Sequence, residues 1–120
     1  MKYSRDVPVV LVEFEDFTRF AAKNLNADEL DALKSFLAIN PEEGVIIQGT
    51  GGVRKLRWAA KGKGKSGGVR IIYYYHNTEM PLLLLTGFAK SEMENLNAAD
   101  KNAMKKVIPL LVSEYKGRKK

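Results

Sequence analysis

The sequence contains no cysteine. That excludes a disulfide framework, a thiolate zinc site and a thiol nucleophile, and it suits a reducing, cytoplasmic setting. Histidine is nearly absent too: the one residue is His76. It falls in the predicted turn HNTEMP, away from the strands, which sets it aside as a catalytic base. No carboxylate pair or metal-ligand cluster is visible, so no metal or cofactor is expected. Long apolar runs are also missing. The run LLLL at 82–85 is far too short to span a membrane. The opening MKYSRDVPVV has no extended apolar stretch, so no signal peptide is expected. No internal repeat is present. A chain of 120 residues with enough apolar content for one core is expected to form a single domain over 1–120.

One further absence is local. Residues 51–70 contain no acidic side chain, yet they carry Arg54, Lys55, Arg57, Lys61, Lys63, Lys65 and Arg70. The chain has 20 Lys and Arg against 14 Asp and Glu. Setting these seven aside leaves 13 basic residues, so the remainder is close to neutral. A concentrated basic block in a balanced chain is a footprint for a polyanion. The tail KGRKK at 116–120 adds nonspecific attraction at most.

The stretch KGKGKSGG at 61–68 superficially resembles a nucleotide-binding loop. The phosphate loop of nucleotide enzymes requires G-x-x-x-x-G-K-[ST] between a strand and a helix. Gly64-Lys65-Ser66 supplies the tail of that motif, but the position of its first glycine is Ala59. The residues that follow, VRIIYYY at 69–75, are β-branched and aromatic and predict a strand. Without a helix N-terminus the loop has no dipole to hold a nucleotide's phosphates.

Periodicity orders the rest. VVLVEF at 9–14 reads as a buried strand. Residues 15–24 place Phe17, Phe20 and Ala21 at helical spacing. Asn26 is positioned to cap a second helix, with Asp28 and Glu29 in its first turn and Leu30, Leu33 and Leu37 as its apolar stripe. Pro41 ends it. GVIIQG, VRKLRW, VRIIYYY and LLLLTGF then read as strands joined by short loops, which predicts an antiparallel meander. Gly49, Gly51 and Gly52 mark a tight turn. A last helix starts near Asn97 or Ala98 and runs towards Tyr115, with Pro109 expected to kink or split it. The expected fold is α+β, a small antiparallel sheet with an N-terminal helical hairpin on one face and a C-terminal helix.

Strand alternation puts Lys55 and Arg57 on one face, and Arg54, Leu56 and Trp58 on the other, where Trp58 is core. If the next strand pairs across the loop, Arg70 lies opposite the Lys55–Arg57 pair. Three cations then converge on the face that the helical hairpin leaves uncovered. They repel one another unless an anion lies between them. Such a site is able to cleave RNA, which carries its own nucleophile in the 2′-OH. Arginine clamps a phosphate with a bidentate, permanently charged fork. A lysine serves as base where neighbouring cations favour its neutral form.

The run GTGGVRKLRWAAKGKGKSGGVRIIYYY resembles the RelE/ParE superfamily of bacterial toxins, closest to the HigB-type branch. The resemblance extends from the first strand through LLTGFAKSE. It implies a toxin of a type II toxin–antitoxin system, a ribosome-dependent mRNA endonuclease that cuts in the ribosomal A site and is silenced by a cognate antitoxin. The implied partners are that antitoxin, the ribosome and mRNA, with no membrane and no small-molecule cofactor. Lys55-Leu56-Arg57 matches the basic–apolar–basic triplet of the strand before the loop. Gly68-Val69-Arg70 matches the arginine opening the next strand, and Lys90 in GFAKSE stands where RelE has arginine. The resemblance thus implies Lys55, Arg57, Arg70 and Lys90 as the catalytic set. Arg54, Lys61, Lys63, Lys65 and Tyr74 are the expected RNA contacts. The functional tyrosine of RelE is not matched: Leu96 stands near its place and no tyrosine follows until Tyr115. Two alternatives remain, a ParE-like inhibitor of DNA gyrase and a noncatalytic RNA-binding module.

Overall fold

The computed structural model describes residues 8–60, 68–93 and 95–118. The elements in chain order are β1 (Leu11–Glu13), α1 (Glu15–Asn24), α2 (Ala27–Ile39), β2 (Val45–Ile46), β3 (Arg54–Trp58), β4 (Val69–Tyr74), β5 (Leu82–Ala89) and α3 (Ala98–Arg118). This is the expected α+β order. The strands form one sheet in the order β1-β5-β4-β3-β2. β2 to β5 pair antiparallel as successive neighbours. β1 pairs parallel with β5, Leu11 opposite Leu82, so the sheet is mixed at that edge.

Local chemistry explains the helix boundaries. Asn26 Oδ1 accepts from the Glu29 N–H at 2.7 Å, and Glu29 Oε1 accepts from the Asn26 N–H at 2.9 Å. This reciprocal box satisfies two donors that the first turn of α2 leaves open. At α3, Asn97 Oδ1 accepts from the Asp100 N–H at 2.8 Å. α3 continues past Pro109 as one helix, so of the expected kink or split the split does not occur. Its packing gives the reason: Ile108, Leu111, Val112 and Tyr115 on both sides of the proline rest on the sheet.

The sheet has two covered faces. On one, Phe17, Phe20, Leu33 and Leu37 of the α1–α2 hairpin pack on Leu56, Ile71, Tyr73 and Leu84. Trp58 joins this layer and meets Phe36 with ring centroids 5.4 Å apart. On the other, Ile108 and its neighbours on α3 pack on Ile72, Tyr74, Leu83 and Phe88. The sequence reading left this second face uncovered. It is covered in part, because α3 lies over the apolar half and leaves the charged end of β3 and β4 open.

Gly87 shows how closely the hairpin approaches. A Cβ there would lie 2.5 Å from Cε2 of the Phe20 ring. Gly87→Ala is therefore expected to destabilise the fold by about 1–3 kcal/mol through overpacking, and urea melts of the two proteins read it directly. A Gly87→Ala protein with an unchanged midpoint would show that α1 yields easily.

Glu13 ties β1 to both helices of the hairpin. Its carboxylate pairs with Lys34 of α2 and accepts from Thr18 Oγ1 at 2.8 Å. The Lys34 hydrogen bond holds its pKa below the ordinary carboxylate value, against the upward pull of desolvation and with help from Thr18. A lowered folded pKa stabilises the fold above the unfolded value of about 4.3, and that contribution is lost as pH falls through the folded value. Lys34 is 38% exposed, so screening limits the pair to about 0.5–1 kcal/mol at neutral pH. Glu13→Gln should lose that much at pH 7, and the gap from wild type should close in acid. A gap that persists below pH ~3 would point to packing instead.

Candidate functional site

The β3–β4 register decides which cations meet. Arg57 lies directly opposite Arg70, and Lys55 lies opposite Ile72. Facing residues on paired strands share a face, so Lys55, Arg57 and Arg70 point to the same side. On the other edge of β4, Arg70 faces Phe88 of β5. The Lys90 N–H donates to the Gly68 carbonyl at 3.1 Å. That bond extends the pairing past Ala89 and brings Lys90, two residues beyond Phe88, to the same face and the same end of the sheet.

The result is an open depression of about 240 Å³ lined by Lys55, Arg57, Arg70, Lys90 and Asn95. Among the described residues, four of the five that line it are cationic and none is acidic. Arg70 is its floor, only 5% exposed, with Nη1 donating to the Val69 carbonyl at 3.2 Å. A guanidinium keeps its charge when buried, which an amine does less readily. Arg57 and Lys90 are exposed rim residues, and Lys55 is half-buried. Lys55 Nζ donates to Asn95 Oδ1 at 2.9 Å. A concave cationic cluster of this kind carries a positive potential, and arginine forks match carboxylate and phosphate groups in charge and geometry.

The structure therefore brings together Lys55, Arg57, Arg70 and Lys90. It does not bring Arg54 or Tyr74 to them. Arg54 is on the opposite face, where Nη1 donates to the Glu42 and Gly44 carbonyls at 3.0 and 2.8 Å. Its Nε is buried with no hydrogen-bond partner. The guanidinium braces the segment before β2, where a single-residue alternation places it. Tyr74 is only 7% exposed and packs under α3. Its hydroxyl lies 3.0 Å from His76 Nδ1, and burial raises its pKa. A ring so enclosed has no open face on which a base stacks. His76 is at the far end of β4 from Arg70, outside the depression. Lys61, Lys63 and Lys65 lie outside the described residues. Leu96, near the place of the family's tyrosine, is buried against the α3 layer.

Asn95 was missed by sequence reasoning. No motif marks it, and its partner Lys55 is 40 positions away. Only the fold of the β5–α3 connection reveals it. Among the described residues no three His, Cys, Asp or Glu side chains gather as a metal-holding group, and no helix is long and apolar enough to cross a membrane.

The fold is thus a five-stranded α+β sheet with a cationic depression at one end of its central strands. The family model described as the RelE toxin of the RelE / RelB toxin-antitoxin system matches residues 13–116. The chain belongs to this family, and its role is that of the toxin, with an antitoxin as partner.

If the depression takes phosphate, each contact contributes a salt-dependent term. On single-stranded RNA, Arg57→Ala should weaken binding and lower the slope of log K against log salt by about 0.7. Filter binding at several salt concentrations measures both, and an unchanged slope would mean that RNA binds elsewhere.

Proposed function

We propose that the chain is a ribosome-dependent mRNA endonuclease of the HigB-type branch, acting in the cytoplasm on messages held in the ribosomal A site. The observation that carries this reading is the direct cross-strand pairing of Arg57 with Arg70, flanked by Lys55 and Lys90 in a depression with no acid among its described lining residues. Two adjacent arginine forks suit the two non-bridging oxygens of one phosphodiester.

The chemistry needs little else. The ribose 2′-OH loses its proton to a base as its oxygen attacks the neighbouring phosphorus. A pentacoordinate, doubly charged phosphorane forms, and Arg57 and Arg70 stabilise the added charge. The bond from phosphorus to the 5′-oxygen of the next nucleotide breaks, and that oxygen takes a proton. The products are a 2′,3′-cyclic phosphate and a free 5′-OH. Lys55, beside the arginines, is the base and, while protonated, a further clamp. Lys90, on the β5 side of Arg70, is the cation nearest the leaving oxygen. The nucleophile belongs to the substrate, so the protein has to supply only position, charge and proton transfer. Lys61, Lys63 and Lys65, between β3 and β4 in the chain, would grip RNA backbone without reading sequence. The cognate antitoxin would silence the toxin by denying RNA this face.

Primer extension on an mRNA translated in a purified system tests the proposal. Wild type is expected to cut at defined codon positions only when ribosomes are present. Arg57→Ala, at an exposed position, should reduce cutting by about a hundredfold or more. Arg70→Lys retains the charge on a buried strand but removes the fork, and it should also be impaired. An intact message with translation running normally would sink the endonuclease reading. Inhibition of gyrase supercoiling would then favour the ParE-like alternative, and salt-sensitive RNA binding without cleavage a noncatalytic module.

A further inference from the structure

We infer that Asn95 is a positioning residue for Lys55, holding its amine in the cationic depression throughout proton transfer. The inference rests on the endonuclease reading above. It starts from an electrostatic problem: Lys55 shares the depression with Arg57, Arg70 and Lys90. Like charges push a flexible four-carbon stem towards solvent, where an ammonium is well hydrated. A neutral hydrogen-bond acceptor can hold it in place, and Asn95 is the one uncharged residue among the described residues of the lining.

The contact is well defined. Lys55 Nζ donates to Asn95 Oδ1 at 2.9 Å. A protonated lysine has donors only, so the amide atom it meets must be the oxygen. The Asn95 side chain is exposed, but the chain is anchored immediately after it. Leu96 is buried in the α3 layer at 9% exposure. Asn97 caps α3, with Oδ1 accepting from Asp100 N–H at 2.8 Å and its carbonyl from Lys101 N–H at 3.1 Å. Docking α3 on the sheet therefore fixes the amide at the rim of the depression.

An amide suits this task better than a carboxylate. It accepts a hydrogen bond from –NH₃⁺ and from –NH₂ alike, so the contact lasts as the proton moves. It adds no negative charge, so it neither cancels the attraction for phosphate nor retains the proton on the amine as a carboxylate would.

The test is single-turnover cleavage of ribosome-bound mRNA between about pH 6 and 9, using the full chain and substitutions at positions 55 and 95. Asn95→Ala is expected to slow the maximal rate about tenfold with the half-saturating toxin concentration unchanged. Asn95→Gln, which retains an acceptor, should recover part of the rate. Asn95→Asp should move the rising limb of the rate profile to higher pH, a change that a purely structural role would not produce. The double variant Lys55→Ala/Asn95→Ala should be no slower than Lys55→Ala alone, because the second residue acts through the first. Wild-type rates in Asn95→Ala, losses that simply add in the double variant, or an unmoved profile in Asn95→Asp would each overturn the inference while leaving the endonuclease standing. A wild-type chain that cuts nothing would remove both.

Discussion

Strand β4 is bounded by β3 and β5 at its edges and by helices on its two faces, and each of its six residues is buried. The α1–α2 hairpin takes Val69, Ile71 and Tyr73, and α3 takes Ile72 and Tyr74. Everything else in the molecule is arranged about that two-sided burial. Its exception is Arg70, a charge on the most enclosed strand of the protein. An arginine there costs desolvation, and its guanidinium keeps its charge even so. The depression is thus a feature of the core strand itself. Its floor, Arg70, is held on that strand, while Arg57 and Lys90 stand at the exposed rim.

The same sheet sends neighbouring cations of β3 to opposite faces by alternation alone. Lys55 and Arg57 face the depression, while Arg54 between the core and the segment before β2 is consumed by two carbonyls. Three cations in four consecutive positions therefore have two fates. The shape of the second face completes the division. α3 covers its apolar half and stops short of its charged end, and the connection that leads into α3 delivers Asn95 to the rim. The sheet alone gathers the four cations, and the docking of α3 adds Asn95, so a partner that moved α3 would also disturb Lys55 through its amide contact.

Much of this was legible from local patterns. Helical spacing in 15–24, the Asn26 box, the glycine turn before β3 and the period-two runs each depend on neighbouring residues, and neighbours are what a sequence displays. The pairing of β1 was not legible, because a strand does not name its partner; Leu11 meets Leu82 only after two helices and three further strands have intervened. Nor was the unbroken course of α3. Local rules set Pro109 against the helix, and burial of residues on both of its sides outweighs them. Tyr74 belongs with these. Its alternation pattern puts it on the same face as Arg70, and only the position of α3 decides that the ring is covered.

By itself, then, the sequence determined the order of elements, the basic block in 51–70 and the face on which Lys55, Arg57 and Arg70 stand, because each follows from spacing along the chain. Tertiary structure alone decided that Arg57 lies directly opposite Arg70, that Lys90 and Asn95 close the depression, and that Arg54 and Tyr74 are elsewhere. Those outcomes depend on strand register and on where a distant helix docks. Both are set by the packing of residues far apart in sequence, and no local periodicity encodes them.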